Sequence, residues 1–338
     1  MRNLLIFPLI KCYLFLLIKC NGYSDEIEDT SIHEYRGYYR REHSLIKPYH
    51  SSSFHVPYWE LMGDTEVNNG EIRLTHNEQG KSGVIYNKSP VLSRDWEITL
   101  SFSVTGTNGK LYGDGMAIWY VKEIKRGSAY GLNSKFKGLG IFLDTYHNGN
   151  KGSDYQFPLI YGMVNDGTKE YNIDNDGSST RLGYKSCSAY FRNKKKGSTN
   201  LLLRYFNNTI SIYTDIDGEG KWKKCFNVDN VLLPIGYHFA ISGHTGDLHD
   251  THDILSFRMY ELDFVRPDKG NEISSYDIIP QYLDEKENEI KSIREDNFSS
   301  GVKIFILFFI MISIMGFAIY YGLEYYKNRI AKSHKRFY

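Results

Sequence analysis

An uninterrupted apolar segment near the carboxyl terminus most constrains what this chain can fold into. Residues 304–323 contain no charged side chain. About 20 apolar residues are the length that a helix needs to cross the hydrocarbon core of a bilayer. We therefore predict a transmembrane helix over 303–323, which separates a long segment before the membrane from a short tail, 324–338, after it.

The charges beside this span predict its orientation. The tail, 324–338, is rich in lysine and arginine and contains the acid Glu324. Basic flanks face the cytoplasm in membrane proteins. The tail is therefore expected to be cytoplasmic and the long segment lumenal, which is a type I topology.

A second apolar run lies at the start of the chain. It follows Arg2, is interrupted by Lys11 and ends in the small or polar residues 20–22, which is the layout of a cleaved signal peptide over 1–22. The alternative is a membrane anchor, but Lys11 divides the run into pieces too short to span a bilayer. We interpret 23–40 as an N-terminal lead before the first domain.

Period-two alternation of apolar and polar residues is typical of the segment 41–268. It is clearest over 96–104, where every second residue is apolar from Trp96 to Val104. Asn-Gly and Asp-Gly pairs separate such runs, as turns separate antiparallel strands. These features predict an all-β fold, an antiparallel β-sandwich or jelly roll over 41–268. We interpret the charge-dense stretch 269–302 as a lumenal stalk.

Charge and cysteine content fit a lumenal domain. A formal net charge of +1 gives no indication of a nucleic-acid partner. Cys187 and Cys225 are the cysteines outside the signal region, and in an oxidising lumen we expect them to pair. Two buried free thiols are the alternative. Asn207 and Asn297 begin N-glycosylation sequons.

Oxygen-bearing groups follow the apolar run 140–143. Asp144, Tyr146 and Asn148 come next at alternate positions. A carboxylate, a backbone carbonyl and an amide oxygen are ligands that a hard cation prefers, although Asp and Asn also begin ordinary turns. Other segments with a carboxylate or a flexible backbone lie at 113–115, 174–177 and 243–248.

Three histidines also lie close together in the sequence. They are His244, His249 and His252. Their spacing does not match that of a metal site. We interpret them as surface histidines on loops.

With these residues, the chain resembles the L-type (leguminous-type) lectins of animals, in particular the vesicular integral membrane lectins of the ER–Golgi pathway. The resemblance runs from residue 41 to about 262 and resumes at the last four residues. Its motifs are Gly113-Asp114-Gly115, Asp144-Thr145-Tyr146, Phe191-Arg192-Asn193, Thr245-Gly246-Asp247-Leu248 and His252-Asp253-Ile254.

The resemblance implies specific roles for residues of this chain. It implies a Ca²⁺ site whose ligands are the side chains of Asp144, Asn148 and Asp176 and the backbone carbonyl of Tyr146. It implies sugar contacts from Asp114, Asn148, Gly246, Asp247 and Leu248. It also matches Cys187 and Cys225 to the family disulfide, and it matches the terminal Lys335, Arg336, Phe337 and Tyr338 to a transport signal.

Two positions depart from the family pattern. Ile173 stands where these lectins usually have a histidine, three residues before the calcium aspartate Asp176. Gly80 aligns with a sugar-contacting serine, although the nearby Ser82 could take its place. Because isoleucine forms no side-chain hydrogen bond, the expected consequence is a weaker or altered glycan preference.

The function implied by the resemblance is binding without catalysis. The expected protein is a calcium-dependent lectin for high-mannose N-glycans in the ER, the intermediate compartment or the Golgi, where it acts as a cargo receptor or in quality control. Vesicle-coat components are the expected partners of its tail. The alternatives are a lectin-fold membrane protein with altered or lost sugar binding, and a glycoside hydrolase, which would need two carboxylates about 5 to 9.5 Å apart across a cleft.

Overall fold

The alternating segment at 96–104 lies in one strand, Trp96–Thr105, whose residues alternate between buried and half-buried. The structure is a computed structural model that describes residues 37–49, 56–107, 109, 111–149, 156–194, 198–262 and 276–334. The predicted signal peptide 1–22 and the tail residues Lys335, Arg336, Phe337 and Tyr338 lie outside the described residues.

The described backbone before residue 283 is mainly β-strand. Short 3₁₀ turns lie at Arg41–His43, Ile173–Asn175 and Leu182–Tyr184. In chain order the strands are β1 (Gly37–Tyr39), β2 (Trp59–Gly63), β3 (Glu66–Val67), β4 (Ile72–Thr75), β5 (Ser82–Asn87), β6 (Trp96–Thr105), β7 (Gly115–Val121), β8 (Arg126–Gly127), β9 (Gly131–Leu132), β10 (Lys137–Asp144), β11 (Leu159–Asp166), β12 (Ser186–Ser188), β13 (Thr199–Phe206), β14 (Thr209–Asp215), β15 (Lys223–Val228), β16 (Val231–Leu232), β17 (His238–His244), β18 (Thr251–Leu262) and β19 (Gln281–Tyr282).

Two large antiparallel sheets form the sandwich. The first has the order β15-β14-β13-β6-β18-β4-β3, and β1 also pairs with β18. The second has the order β12-β11-β10-β7-β17-β5-β2. The predicted all-β sandwich is confirmed, and paired strands extend past both ends of the predicted range, because β1 precedes it and β19 pairs with β16 after it.

Side chains from the two sheets meet in a common core. Phe239 of the second sheet packs edge-on against Trp96 of the first, with ring centroids 5.0 Å apart. It also contacts Phe257 of the first sheet, at 5.6 Å. Burial of such large aromatic groups removes much apolar surface from water and stabilises the sandwich.

The second sheet is covered on both faces, which explains its continuous apolar sequences. Every residue of β7 is buried. The face turned away from the first sheet carries a second apolar cluster, in which Phe142 stacks on Tyr171 at 4.4 Å and Trp119 packs against Phe136 at 5.0 Å. A strand that is buried on both faces loses the alternation seen in β6.

A disulfide joins one strand of each sheet. Cys187 on β12 is bonded to Cys225 on β15, with Cα atoms 5.3 Å apart. The predicted pairing is therefore present. Asn207 is exposed in the turn between β13 and β14, where a glycan attached to it would face solvent.

The chain divides into two units, Met1–Tyr282 and Leu283–Tyr338. The second contains one helix, α1 (Glu285–His334), which begins within the predicted stalk and continues into the predicted tail. Its part Phe305–Arg329 is long and apolar enough to cross a membrane and is not buried against protein. The Asn297 sequon lies in this helix, in the stretch whose side chains are not described.

Candidate functional site

One end of the second sheet brings four strand termini into register. Ser82 of β5 pairs with His244 of β17, His244 pairs with Gly115 of β7, and Gly115 pairs with Asp144 of β10. Residues directly opposite one another in an antiparallel sheet project from the same face. The loops next to these four residues therefore emerge at a common edge, although they are distant in sequence.

Asp114 lies at the centre of this edge. Its backbone N–H donates to the carbonyl of His244 at 3.1 Å, and its own carbonyl accepts a hydrogen bond from the Thr145 N–H at 2.9 Å. A side chain at the preceding Gly113 would meet Tyr146 and Leu248 at 3.2 and 3.4 Å. The loop that carries Asp114 is thus held between the loops that follow β10 and β17.

The loop after β17 is fixed by the segment before β5. The Gly80 N–H donates to the carbonyl of Gly246 at 3.1 Å, and the Thr245 N–H donates to the carbonyl of Lys81 at 2.9 Å. The side-chain amide of Gln79 donates to the carbonyl of Asp247 at 3.0 Å. These bonds hold the backbone of 245–248 in place without engaging the side chain of Asp247, which remains exposed.

Gly246 leaves the carboxylate of Asp114 accessible. A Cβ atom at position 246 would lie 3.1 Å from Oδ2 and 3.4 Å from Oδ1 of that carboxylate. Any larger residue would crowd the same space. Asp114, Gly246 and Leu248, for which the family resemblance implies a common sugar site, are thus brought together by the fold.

Asp144 is fully buried at the end of β10. Its Oδ2 accepts a hydrogen bond from the Tyr161 hydroxyl at 2.9 Å, and its Oδ1 accepts one from the Tyr146 N–H at 3.1 Å. Burial raises the pKa of this carboxyl well above its ordinary value, and the nearby charge of Asp176 raises it further. A buried, ionised pair of this kind is unfavourable unless a cation or hydrogen bonds compensate it.

Asp176 anchors the loop that follows β10. It is almost fully buried, and its Oδ1 and Oδ2 accept hydrogen bonds from the N–H groups of Asn148 and Gly149 at 3.0 and 3.2 Å. The Asn148 side chain itself is exposed. Asp176 therefore positions the backbone of Asn148 while leaving its amide available to a ligand.

These oxygens could hold a hard cation. Within the part of the chain that the structure describes, no cluster of three or more His, Cys, Asp or Glu side chains has the arrangement of a metal site. An ion near Asp144 and Asp176 would therefore need the Tyr146 carbonyl, the Asn148 amide oxygen and water to complete its coordination. These ligands fit such an ion, because a divalent charge would compensate the carboxylate of Asp144, whose pKa is raised first by burial and then by the charge of Asp176.

Ile173, at a position where this chain departs from the family pattern, and Ser82, which could replace a family sugar contact, contact other parts of the fold. Ile173 begins a 3₁₀ turn and packs, partly buried, against the second apolar cluster that contains Tyr171. Ser82 projects toward the β8–β9 hairpin, where its Oγ would lie 2.8 Å from a Cβ at Gly131. Among the described residues, the hydrogen bond of the Ser82 N–H goes to Asp64 and that of the Asp114 carboxylate goes to His244, so the two residues do not bond to each other there.

The interpretation of the three histidines as surface residues on loops is wrong for His252, whereas His244 and His249 keep part of their surface exposed. His252 is fully buried on β18, where Nδ1 lies 2.7 Å from the Thr75 hydroxyl. His244 ends β17 and is half-buried, with Nδ1 2.7 Å from Oδ2 of Asp114. His249 lies 2.8 Å from Oδ1 of Asn77. No local pattern in the sequence indicates these contacts, because each joins segments more than 100 residues apart.

A buried ion pair between Arg192 and Asp250 lies next to the segment that leads into the Asp114 loop. Arg192 donates from Nε and Nη2 to the two carboxylate oxygens of the fully buried Asp250 at 2.8 and 2.9 Å. Its guanidinium also covers the ring of Tyr112, 4.1 Å from the centroid. Tyr112 precedes Gly113-Asp114, so the pair fixes one side of the Asp114 loop.

Comparison with known proteins agrees with this architecture. A profile of the legume-like lectin family matches residues 36–269. The human VIP36-like protein is 39% identical over 308 residues, which cover 89% of this chain and 86% of that protein. Human vesicular integral-membrane protein VIP36 is 39% identical over 252 residues, covering 74% and 68%.

A solved structure also matches the fold. The crystal structure of the exoplasmic/lumenal domain of VIP36 in its Ca²⁺/Man-bound form has a TM-score of 0.68 at 38% sequence identity. The match covers 73% of this chain and 99% of that domain. Together with the extent of the family match, these similarities show that the chain belongs to the legume-like lectin family.

Proposed function

We propose that this chain is a calcium-dependent lectin that binds high-mannose N-glycans on glycoproteins of the early secretory pathway. The observation that carries the proposal is the meeting of Asp114, the 246–248 loop and the Asn148 loop at one sheet edge. A hexose presents vicinal hydroxyls that both donate and accept hydrogen bonds. A carboxylate, a side-chain amide and backbone N–H groups on rigid loops are suited to them.

Calcium would be held by Asp144, Asp176, the Asn148 amide oxygen and the Tyr146 carbonyl. Its contribution would be structural, because it would neutralise the buried carboxylates and hold the loop after β10 in one conformation. Asp114 would then accept hydrogen bonds from sugar hydroxyls, Asn148 would donate to them, and the backbone of Asp247 and Leu248 would complete the contact. The solved structures of the VIP36 domain, described as Ca²⁺/Man-bound and Ca²⁺/Man3GlcNAc-bound, support this assignment.

A binding role fits these carboxylates better than glycoside hydrolysis. A hydrolase needs two carboxylates that face the scissile bond across an accessible cleft. Asp144 and Asp176 are both buried, whereas Asp114 is bonded to His244. A lectin fold with altered or lost sugar binding is the second candidate, and the observation that favours it is the apolar environment of Ile173.

We also propose a type I orientation in the membrane of the ER, the intermediate compartment or the Golgi, with a role as a cargo receptor in transport or quality control. The relatives named vesicular integral-membrane protein support this location. The tail would engage vesicle coats through Lys335, Arg336, Phe337 and Tyr338. Deletion of Phe337 and Tyr338 should slow exit from the ER, and unchanged transport would contradict this role of the tail.

The decisive experiment is a glycan array with the detergent-solubilised full chain, in calcium and in chelator. We expect a signal for mannose-terminated glycans that chelation removes, and its loss in Asp114→Ala and Asn148→Ala. Asp166→Ala is the matched control, because Asp166 is the exposed last residue of β11, at the strand end away from Asp144, and its loss should leave the signal intact. Equal binding by all three variants would exclude this site.

A further inference from the structure

The imidazole of His244 contacts the carboxylate that defines the proposed sugar site. Nδ1 lies 2.7 Å from Oδ2 of Asp114, and 28% and 17% of the two side-chain surfaces remain exposed. His244 is the last residue of β17, and its cross-strand neighbour Gly115 has no side chain. The imidazole therefore has room to lie beside Asp114, on the face from which Asp144 also projects.

The carboxylate of Asp114 determines the roles of the two ring nitrogens. A carboxylate is an acceptor, so Nδ1 of His244 carries the hydrogen that it donates to Asp114. Nε2 is then a lone-pair acceptor in the neutral ring and a donor in the charged ring. Among the described residues, no group forms a hydrogen bond with Nε2 of His244. Nε2 is also absent from the side-chain atoms that are buried without a hydrogen-bond partner. A hydroxyl group can bond it in either state.

We propose that His244 is a sugar-contacting residue: Nδ1–H fixes the carboxylate of Asp114, and Nε2 hydrogen-bonds a hydroxyl of the hexose that Asp114 binds. This inference rests on the proposed lectin function and names a contact within the same site. The imidazole of His244 would reach the sugar from strand β17. Ile173, at the position where these lectins usually have a histidine, supplies only an apolar side chain.

Three variants of the full chain test the contact by mannose-glycan binding in calcium. His244→Ala removes both nitrogens and should weaken binding roughly tenfold or more, since a hydrogen bond to a charged partner and one to the ligand are both lost. His244→Asn keeps a donor in place of Nδ1 but lacks Nε2, so we expect an intermediate loss. His238→Ala, on the same face at the other end of β17, is the matched control and should bind as the unmodified chain does.

Sugars that lack one hydroxyl each separate direct contact from an indirect effect. Methyl α-mannoside and its monodeoxy analogues are compared as competitors for the unmodified chain and for His244→Ala. If Nε2 bonds one hydroxyl, the analogue without that hydroxyl should lose less affinity in His244→Ala than the other competitors do, because only the loss that follows from the missing Nδ1–Asp114 bond remains. The same loss for every analogue would mean that His244 only supports the fold, which would overturn the contact.

The remaining outcomes distinguish the proposed His244 contact from the proposed lectin function on which it rests. Absence of glycan binding by the unmodified chain in calcium would overturn the lectin proposal and the His244 contact together. Binding that Asp114→Ala abolishes but His244→Ala or His244→Asn leaves unchanged would overturn the His244 contact alone. A graded loss from His244→Asn to His244→Ala, tied to one hydroxyl, supports it.

Discussion

The Tyr161 hydroxyl donates a hydrogen bond of 2.9 Å to the buried carboxylate of Asp144 and lies 2.7 Å from the Tyr171 hydroxyl. This arrangement orients a carboxylate that burial alone would disfavour in its charged form. Groups that orient a metal ligand in this way usually change metal affinity when they are removed. Tyr161 is therefore part of the proposed calcium site although it would not touch the ion.

Tyr161→Phe should weaken calcium binding by about 10- to 100-fold, because Asp144 would lose the donor that orients its oxygen. Calcium titration of the thermal unfolding midpoint measures this change. Tyr120→Phe is the control, since Tyr120 is an equally buried tyrosine whose hydroxyl donates to the carbonyl of Pro234. Equal calcium dependence in the two variants would contradict the role of Tyr161.

Ile173→His should change the glycan profile, because it introduces a side chain that can hydrogen-bond at a position where these lectins usually have one. The partly buried Ile173 contributes no such group. A glycan array of the calcium-loaded chain is the measurement, with Ile173→Leu as the control that keeps an apolar side chain. An identical profile for Ile173→His and the unmodified chain would show that this position does not determine preference.

Loss of the disulfide should lower the free energy of unfolding by about 4 kcal/mol. This is the contribution expected when a cross-link of this sequence separation reduces the chain entropy of the unfolded state. Cys187 and Cys225 are 38 residues apart and connect the two sheets. Urea unfolding of Cys187→Ala/Cys225→Ala, compared with the oxidised chain, gives the difference. Reductant should lower the midpoint of the unmodified chain and leave that of the double variant unchanged.

His252 should make stability fall in mild acid. Burial lowers its pKa from 6.5 to about 3, so between these values the unfolded chain binds a proton that the folded chain does not. The contribution of His252 to the free energy of unfolding is at its full value above pH 6.5. It decreases as the pH falls and is smaller by about 2 kcal/mol at pH 5. Unfolding free energies of the unmodified chain and His252→Gln, measured from neutral pH to pH 5, should show a steeper decrease for the unmodified chain.

Much of the fold was predictable because strand periodicity and turn chemistry are local. The alternation in β6 predicted a strand with one buried face, and the structure has it over Trp96–Thr105. The apolar runs of β7 and β10 do not alternate, so the sequence could not indicate which face of each strand is buried; in the structure both faces are. β1 and β19 are short and lack a pattern of their own, so only their pairing with β18 and β16 identifies them as strands.

The sequence by itself determined the transmembrane segment, the cysteine pair and the residue types of the candidate site, because hydrophobic length, redox chemistry and motif are properties of the chain. Only the tertiary structure decided which side chains meet. The register of four strands places His244 beside Asp114, and the packing of separate segments places Tyr161 against Asp144. Such contacts depend on pairing between distant segments, and in a sheet a shift of one residue turns every side chain to the opposite face.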